Sequence, residues 1–278
     1  MVPLRRLSGK VEWIAERTEC SGDLSVGEML LVPLKYGPLM QTYKIRRISG
    51  TRKNGVTVPS LCTLDAALKF DSEESPHCVY NEYVAHRLAQ TLHAPVAEGV
   101  LTTTGDGQAY ASLLLHSPGI NLPDVLDPQL DRIAQMYPDM AAALVAFDLF
   151  IGNGDRARNL KAALVTPHVR LFAAFDHSHA LLGVESNPTN SIRKLAEGDL
   201  IVRRHPFYGR VQAVFLEGWI SRIMALPDGY IRECCRMGKP FRAVSEELQQ
   251  FLADAMIKRK AVLPAIVQGH ASFIRSRP

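Results

Sequence analysis

Asp155, Asn159 and Asp176 are the residues whose types and spacing point most directly to chemistry. The first two lie in a polar loop, Asn153-Gly154-Asp155-Arg156-Ala157-Arg158-Asn159, at the end of an apolar helical run. Two short strand-like runs follow, 160–165 and 169–175, with a turn at Thr166-Pro167-His168 between them. Such a hairpin returns Asp176 to the end where Asp155 and Asn159 stand. Two carboxylates and an amide gathered in this way can hold a hard divalent cation and orient a hydroxyl nucleophile.

A phosphoryl-transfer site also needs a cation for the nucleotide phosphates and an acid to steady it. Ala67-Leu68-Lys69-Phe70 is an apolar strand with one lysine in it. The helix expected next, 79–92, opens with Asn81-Glu82-Tyr83 and has a buried stripe at Tyr80, Val84, Leu88 and Leu92. Glu82 shares a side with Ala85 and Ala89, small enough to let the helix approach the sheet. Taken singly, Lys69 is an exposed strand lysine and Glu82 an acid at a helix N-terminus. Their order along the chain favours an ion pair. No GxGxxG occurs. Ser49-Gly50-Thr51-Arg52, between strand-like runs, could offer backbone N–H groups and Arg52 to a phosphate. The following Lys53-Asn54-Gly55 reads equally as a plain hairpin turn.

The chain resembles the HipA-like kinases and the phosphoinositide lipid kinases in its Asp-Arg-x-x-Asn, strand pair and Phe-Asp-His. It departs from the family pattern in having Ala157 where a His often stands and Asn159 four rather than five residues after Asp155. The resemblance implies an α+β, bilobal, protein-kinase-like fold: a strand-rich nucleotide-binding lobe, 1–116, and a helix-rich catalytic lobe, 117–278, with a hinge near His116–Gly119. It implies an ATP-dependent transfer with Mg²⁺ or Mn²⁺. In it Asp155 would be the catalytic acid–base, Arg156 would bridge the loop or meet phosphate, and Asp176 and Asn159 would hold the metal. Lys69 would grip the phosphates, braced by Glu82; Ser49 and Arg52, read from the residues and not from the resemblance, would be further cofactor contacts. The acceptor it implies is a Ser/Thr hydroxyl on a protein, the kinase itself included. Two other classes stay open: a catalytically degenerate kinase-fold binding module, and a small-molecule or lipid kinase.

Composition is consistent with this reading. The 278 residues are 47% hydrophobic and 22% charged, an ordinary globular balance with a formal charge of +4. Arg5-Arg6, Arg46-Arg47, Arg203-Arg204 and Lys258-Arg259-Lys260 are scattered and read as solvated faces or helix ends, so no direct nucleic-acid binding is expected. Five cysteines without CxxC spacing suit reduced thiols in the cytoplasm. No signal peptide or membrane span is read. His177 and His179 flank Ser178 and could share a soft metal, although no further His/Cys cluster completes a site. Asp148 either braces the loop backbone or is a solvated helix residue. Further strands are expected at 11–15, 29–34, 42–48, 96–103 and 109–115. Helices are expected at 130–136, 139–151, 211–225, 228–236 and 244–257, with a last one before Pro278.

Overall fold

The computed structural model describes residues 43–51, 59–105, 107–117, 120–164 and 171–275. The chain divides between Pro38 and Leu39, and everything described lies in the second unit, Leu39–Pro278. The strands expected at 11–15 and 29–34, and Arg52, lie outside the described residues.

The fold is α+β, with strands first and helices after. β1 (Ile45–Thr51) and β2 (Ser60–Leu64) make an antiparallel pair whose register shifts twice, between Ile45 and Arg47 and between Ile48 and Gly50. A separate antiparallel sheet has β3 (Ala66–Lys69) and β4 (Gly99–Thr104) on either side of β5 (Gly107–Leu113). In it Lys69 lies opposite Tyr110. Between β3 and β4 runs α1 (Cys78–Leu92), which packs on β4 and β5. The stripe at Tyr80, Val84, Leu88 and Leu92 is buried, and so are Glu82, Ala85 and Ala89. His93 ends the helix in the left-handed region at φ 56°, its N–H turned back to the last carbonyls.

Beyond the short pair β6 (His116–Ser117) and β7 (Ile120–Asn121), helices dominate. A 3-10 turn (Asp127–Gln129) leads to α2 (Leu130–Met136) and α3 (Pro138–Ile151). Every residue of α3 from Ala141 onward is buried. A helix apolar on all sides belongs at the centre of a core, and α2, α5 (Ala213–Met224) and α7 (Glu246–Gly269) pack around it. Gly152 stops α3 at φ 70°, and a Cβ there would lie 3.1 Å from both Ile201 and Leu195. The short antiparallel pair β8 (Leu160–Ala162) and β9 (Phe172–Ala174) follows. The remaining elements are α4 (Thr189–Glu197), α6 (Asp228–Cys235) and α8 (Ala271–Ile274).

Two sequence expectations need correction here. The helix expected at 244–257 runs on to Gly269, through Pro264. Of Lys258-Arg259-Lys260, expected as a solvated face or helix end, only Lys258 is exposed, and the triplet lies inside the helix. Arg259 is fully buried and donates to the carbonyl of Leu149 at 2.7 and 3.0 Å and to that of Asp199 at 2.6 Å. It thereby satisfies a carbonyl near the C-terminus of α3 that no intrahelical donor reaches. Lys260 turns to the Leu226 carbonyl and to Asp228. The helix α4 was not expected.

Candidate active site

Asp148, inside α3, is fully buried, and four donors fill its carboxylate. Oδ1 accepts from Arg156 Nη2 at 2.8 Å and Asn153 Nδ2 at 3.2 Å, and Oδ2 from Arg156 Nε at 2.7 Å and His205 Nε2 at 3.1 Å. Burial alone would raise its pKa, but the Arg156 guanidinium and its hydrogen bonds outweigh this and hold the carboxyl well below the ordinary range. His205 Nδ1 accepts the Phe207 N–H at 3.1 Å, which leaves Nε2 as the nitrogen that donates to Asp148. Asp148 is therefore a brace and not a solvated helix residue.

Arg156 carries this brace into the loop. Its Nη1 donates to the carbonyls of Phe175 at 2.6 Å and Asn159 at 3.2 Å, and the Phe175 N–H meets the Asn159 carbonyl at 3.1 Å. One buried side chain thus fastens the loop to the residue just before Asp176. Of the two roles expected for Arg156, bridging the loop fits. Meeting phosphate does not, because the side chain is wholly buried and its donors are committed. Its guanidinium ties the Asp155 loop to Asp148 in α3 and to the Phe175 carbonyl.

Asp155 emerges from the clamped loop with its side chain half exposed. Its N–H donates to Asn153 Oδ1, its carbonyl accepts Asn159 Nδ2 at 3.0 Å, and His179 Nδ1 lies 3.7 Å from Oδ2. The short Asp155–Asn159 spacing has a visible consequence here. The Asn159 amide nitrogen is tied to the backbone, so its oxygen is the end left for a ligand. Asn153 offers no substitute: it is buried and both ends of its amide are engaged.

Lys69, Glu82 and Asp176 meet. Lys69 Nζ is 2.6 Å from Glu82 Oε1 and 2.8 Å from Asp176 Oδ1. Burial would lower the lysine pKa, but the two carboxylates hold it above its ordinary value. Glu82 Oε1 also accepts the His177 N–H at 2.8 Å, which joins β3, α1 and the chain after β9 at one carboxylate. Asp176 has φ 63°, a left-handed conformation unusual for a residue with a side chain. Its Oδ1 accepts from Ser178 N at 3.3 Å and Ser178 Oγ at 2.7 Å, a local turn that stabilises this backbone. Although burial opposes it, Lys69 and Ser178 depress the Asp176 pKa far below the usual carboxylate value.

Other side chains support the site. Asn81 donates to the carbonyls of Ser178 and Gly183 and accepts the Leu182 N–H at 3.2 Å, so α1 holds the segment after Asp176 on both sides. His177 is buried with Nδ1 3.6 Å from Glu82 Oε2, whereas His179 is about half exposed. The two histidines part, which removes the shared soft-metal reading. Among the described residues no group of three or more His, Cys, Asp or Glu could hold a metal. Asp176 and Asn159 each present a hard oxygen, the donor type that suits Mg²⁺ or Mn²⁺. Ser49 lies within β1, exposed, its hydroxyl donating to the Leu61 carbonyl at 3.4 Å. His205 carries no motif, and Asn81 stands out only as the neighbour of Glu82. Only an unusual polar residue in an apolar setting could have marked them.

No protein-family model matches the chain, and no curated protein does. Among solved structures it is similar to HipA of the Shewanella oneidensis MR-1 toxin–antitoxin system, solved with HipB and its operator DNA. Identity is 18% and the TM-score 0.45, over 87% of this chain and 68% of that one. It is also similar to the Helicobacter pylori proinflammatory kinase CtkA, at 16% identity and a TM-score of 0.48, over 74% of this chain and 90% of that one. The first bears the name of the family that the sequence motifs resemble, and the second is named as a kinase.

Proposed function

We propose that the chain is an ATP-dependent phosphotransferase that uses Mg²⁺ or Mn²⁺ and acts as a HipA-like Ser/Thr protein kinase. The observation that carries this reading is Lys69, held between Glu82 and Asp176 beside the clamped Asp155 loop. An ammonium has three donors, and two of Lys69's are occupied, which leaves one for a phosphate oxygen. Asp176 and the Asn159 oxygen would share the metal with phosphate oxygens of the nucleotide. When bound, that ion would neutralise charge on the transferring group. Asp155, exposed at the loop tip, is the group that would orient an acceptor hydroxyl and take its proton. The described cysteines are free thiols, which suits a cytoplasmic setting.

The tethered Asn159 amide favours one alternative, a kinase-fold module that binds nucleotide without turnover. Incubation with labelled ATP and Mg²⁺ separates the two. The expected outcome is phosphate transfer or release by the wild type and a loss of roughly a hundredfold or more in Asp155→Asn, with ATP binding kept. Equal turnover in both would remove Asp155 from the chemistry. No turnover with intact ATP binding would leave the binding module.

A further inference from the structure

Arg203 and Arg204 stand side by side on the extended stretch between α4 and α5, both exposed. Ile201 and His205, to either side of the pair, lie against the end of α3 and the start of the polar loop. A Cβ placed on Gly152 would lie 3.1 Å from the Ile201 side chain, and one on Gly154 would lie 3.9 Å from the Ile201 carbonyl. His205 binds Asp148 beneath the same loop at 3.1 Å. The arginine pair is thereby held beside the loop that presents Asp155. Arg158, exposed and left-handed at φ 68°, stands on that loop three residues after Asp155.

Among the described residues, none of these three arginines has a carboxylate within ion-pair distance. Arg46, Arg193, Arg210, Arg232, Arg242 and Arg275 each have one, whereas Arg47, Arg132 and Arg236 are likewise exposed without one but lie on other parts of the chain. The acids deeper in the site, Glu82 and Asp176, are already paired with Lys69. The exposed acid of the arginine stretch is Asp199, four residues before Arg203. Arg158, Arg203 and Arg204 are thus exposed cations without a carboxylate partner among the described residues.

We infer that Arg158, Arg203 and Arg204 form a docking strip for an acidic acceptor peptide, one with carboxylates or phosphates flanking the hydroxyl offered to Asp155. The inference rests on the proposed role of Asp155 for the direction in which the peptide lies, but the strip's charge preference does not depend on turnover. A set of three cations matches the few charges of a peptide segment better than the regular phosphate track of a nucleic acid. An exposed ion pair changes affinity by roughly 1.5- to fivefold, so the strip acts through several pairs together.

The test is fluorescence anisotropy with two labelled serine peptides, one flanked by glutamates and the other by glutamines. The acidic peptide is expected to bind the full chain more tightly, with an affinity that falls as salt rises. Arg203→Glu combined with Arg204→Glu should weaken it by about tenfold, leaving the glutamine peptide and ATP binding unchanged. Equal affinity for the two peptides would overturn the inference, as would an acidic-peptide affinity that ignores the double reversal. So would tighter binding of a labelled oligonucleotide through the same two arginines. Because the readout is binding, absence of phosphoryl transfer would sink the proposed kinase activity and leave this result standing.

Discussion

The β1–β2 pair and the loop between α3 and β8 are both candidate contacts for a nucleotide, and they are built in opposite ways. The described side chains of β1 and β2 are exposed, and their register slips twice. The loop is fixed from below by a carboxylate and a guanidinium that are both completely buried. A buried ion pair is a poor source of net stability, since desolvation offsets most of its attraction, yet breaking it is costly because one charge is left alone. Such a pair specifies a geometry more than it adds stability. Geometry is what the proposed acid–base and metal residues require, whereas a cover over phosphates can work through backbone N–H groups alone.

The largest effect should come from breaking that brace. In Asp148→Asn the Arg156 guanidinium keeps its burial and loses its counter-charge, so urea unfolding should show a loss of about 3–5 kcal/mol. Asp155→Asn, seven residues on, removes an exposed carboxylate and should change stability by less than about 0.5 kcal/mol. Similar losses in the two variants would mean that the buried and exposed aspartates are not distinct in kind.

A second experiment works at the site itself. Asp176→Ala should abolish the Mg²⁺ dependence of binding to a fluorescent ATP analogue, while Asn159→Ala should cost less. Asp176 has its carboxylate at the Lys69 ammonium, whereas the Asn159 amide already spends its nitrogen on the Asp155 carbonyl. Unaltered metal dependence in Asp176→Ala would remove the kinase-like assignment from the whole segment.

How far the sequence could be read follows the same contrast. The α1 stripe, the Lys69 strand and the α3 run were legible because burial imposes a period or an unbroken apolar stretch. The meeting of Lys69 with Glu82 could be anticipated from order alone. The brace could not. Asp148 in an apolar helix left two readings open, and His205 lies 57 residues away with no motif to link them. Arg259 misled for a related reason. A basic triplet looks solvated until the carbonyl of Leu149, 110 residues away, is brought to it. Long-range pairing of single polar groups leaves no periodic trace in the sequence.

Acid should expose the braced region gradually. Burial pushes the His177 and His205 imidazoles below their ordinary pKa, so below about pH 6.5 protons favour the unfolded chain. Asp148, Asp176 and Glu82 are depressed as well. A depressed carboxylate contributes stability above its unfolded pKa, about 4, and loses it as pH falls through the lower folded value. Both sets act in the same direction. Tm should be level near neutrality, decline from about pH 6.5 and drop steeply below about 4. Lys69 is raised, so its contribution is complete below about pH 10.4 and is lost only at higher pH. A Tm that rises between pH 7 and 4 would contradict the assignment of these charges.

The smallest effect is expected at the open end of the comparison. The Ser49 hydroxyl makes one long bond to the Leu61 carbonyl from an exposed strand, so Ser49→Ala should cost less than about 0.5 kcal/mol. Its effect on nucleotide binding tells how the β1–β2 pair could serve a phosphate. If backbone N–H groups do the covering, alanine keeps every one of them, and ATP affinity should stay within about twofold, since an exposed side chain away from special contacts changes little. A tenfold loss measured by titration would make the hydroxyl itself a phosphate ligand. The β1–β2 pair would then depend on a specific side chain, as the braced loop does, and the difference in construction between the two regions would no longer mark a difference in the way they bind.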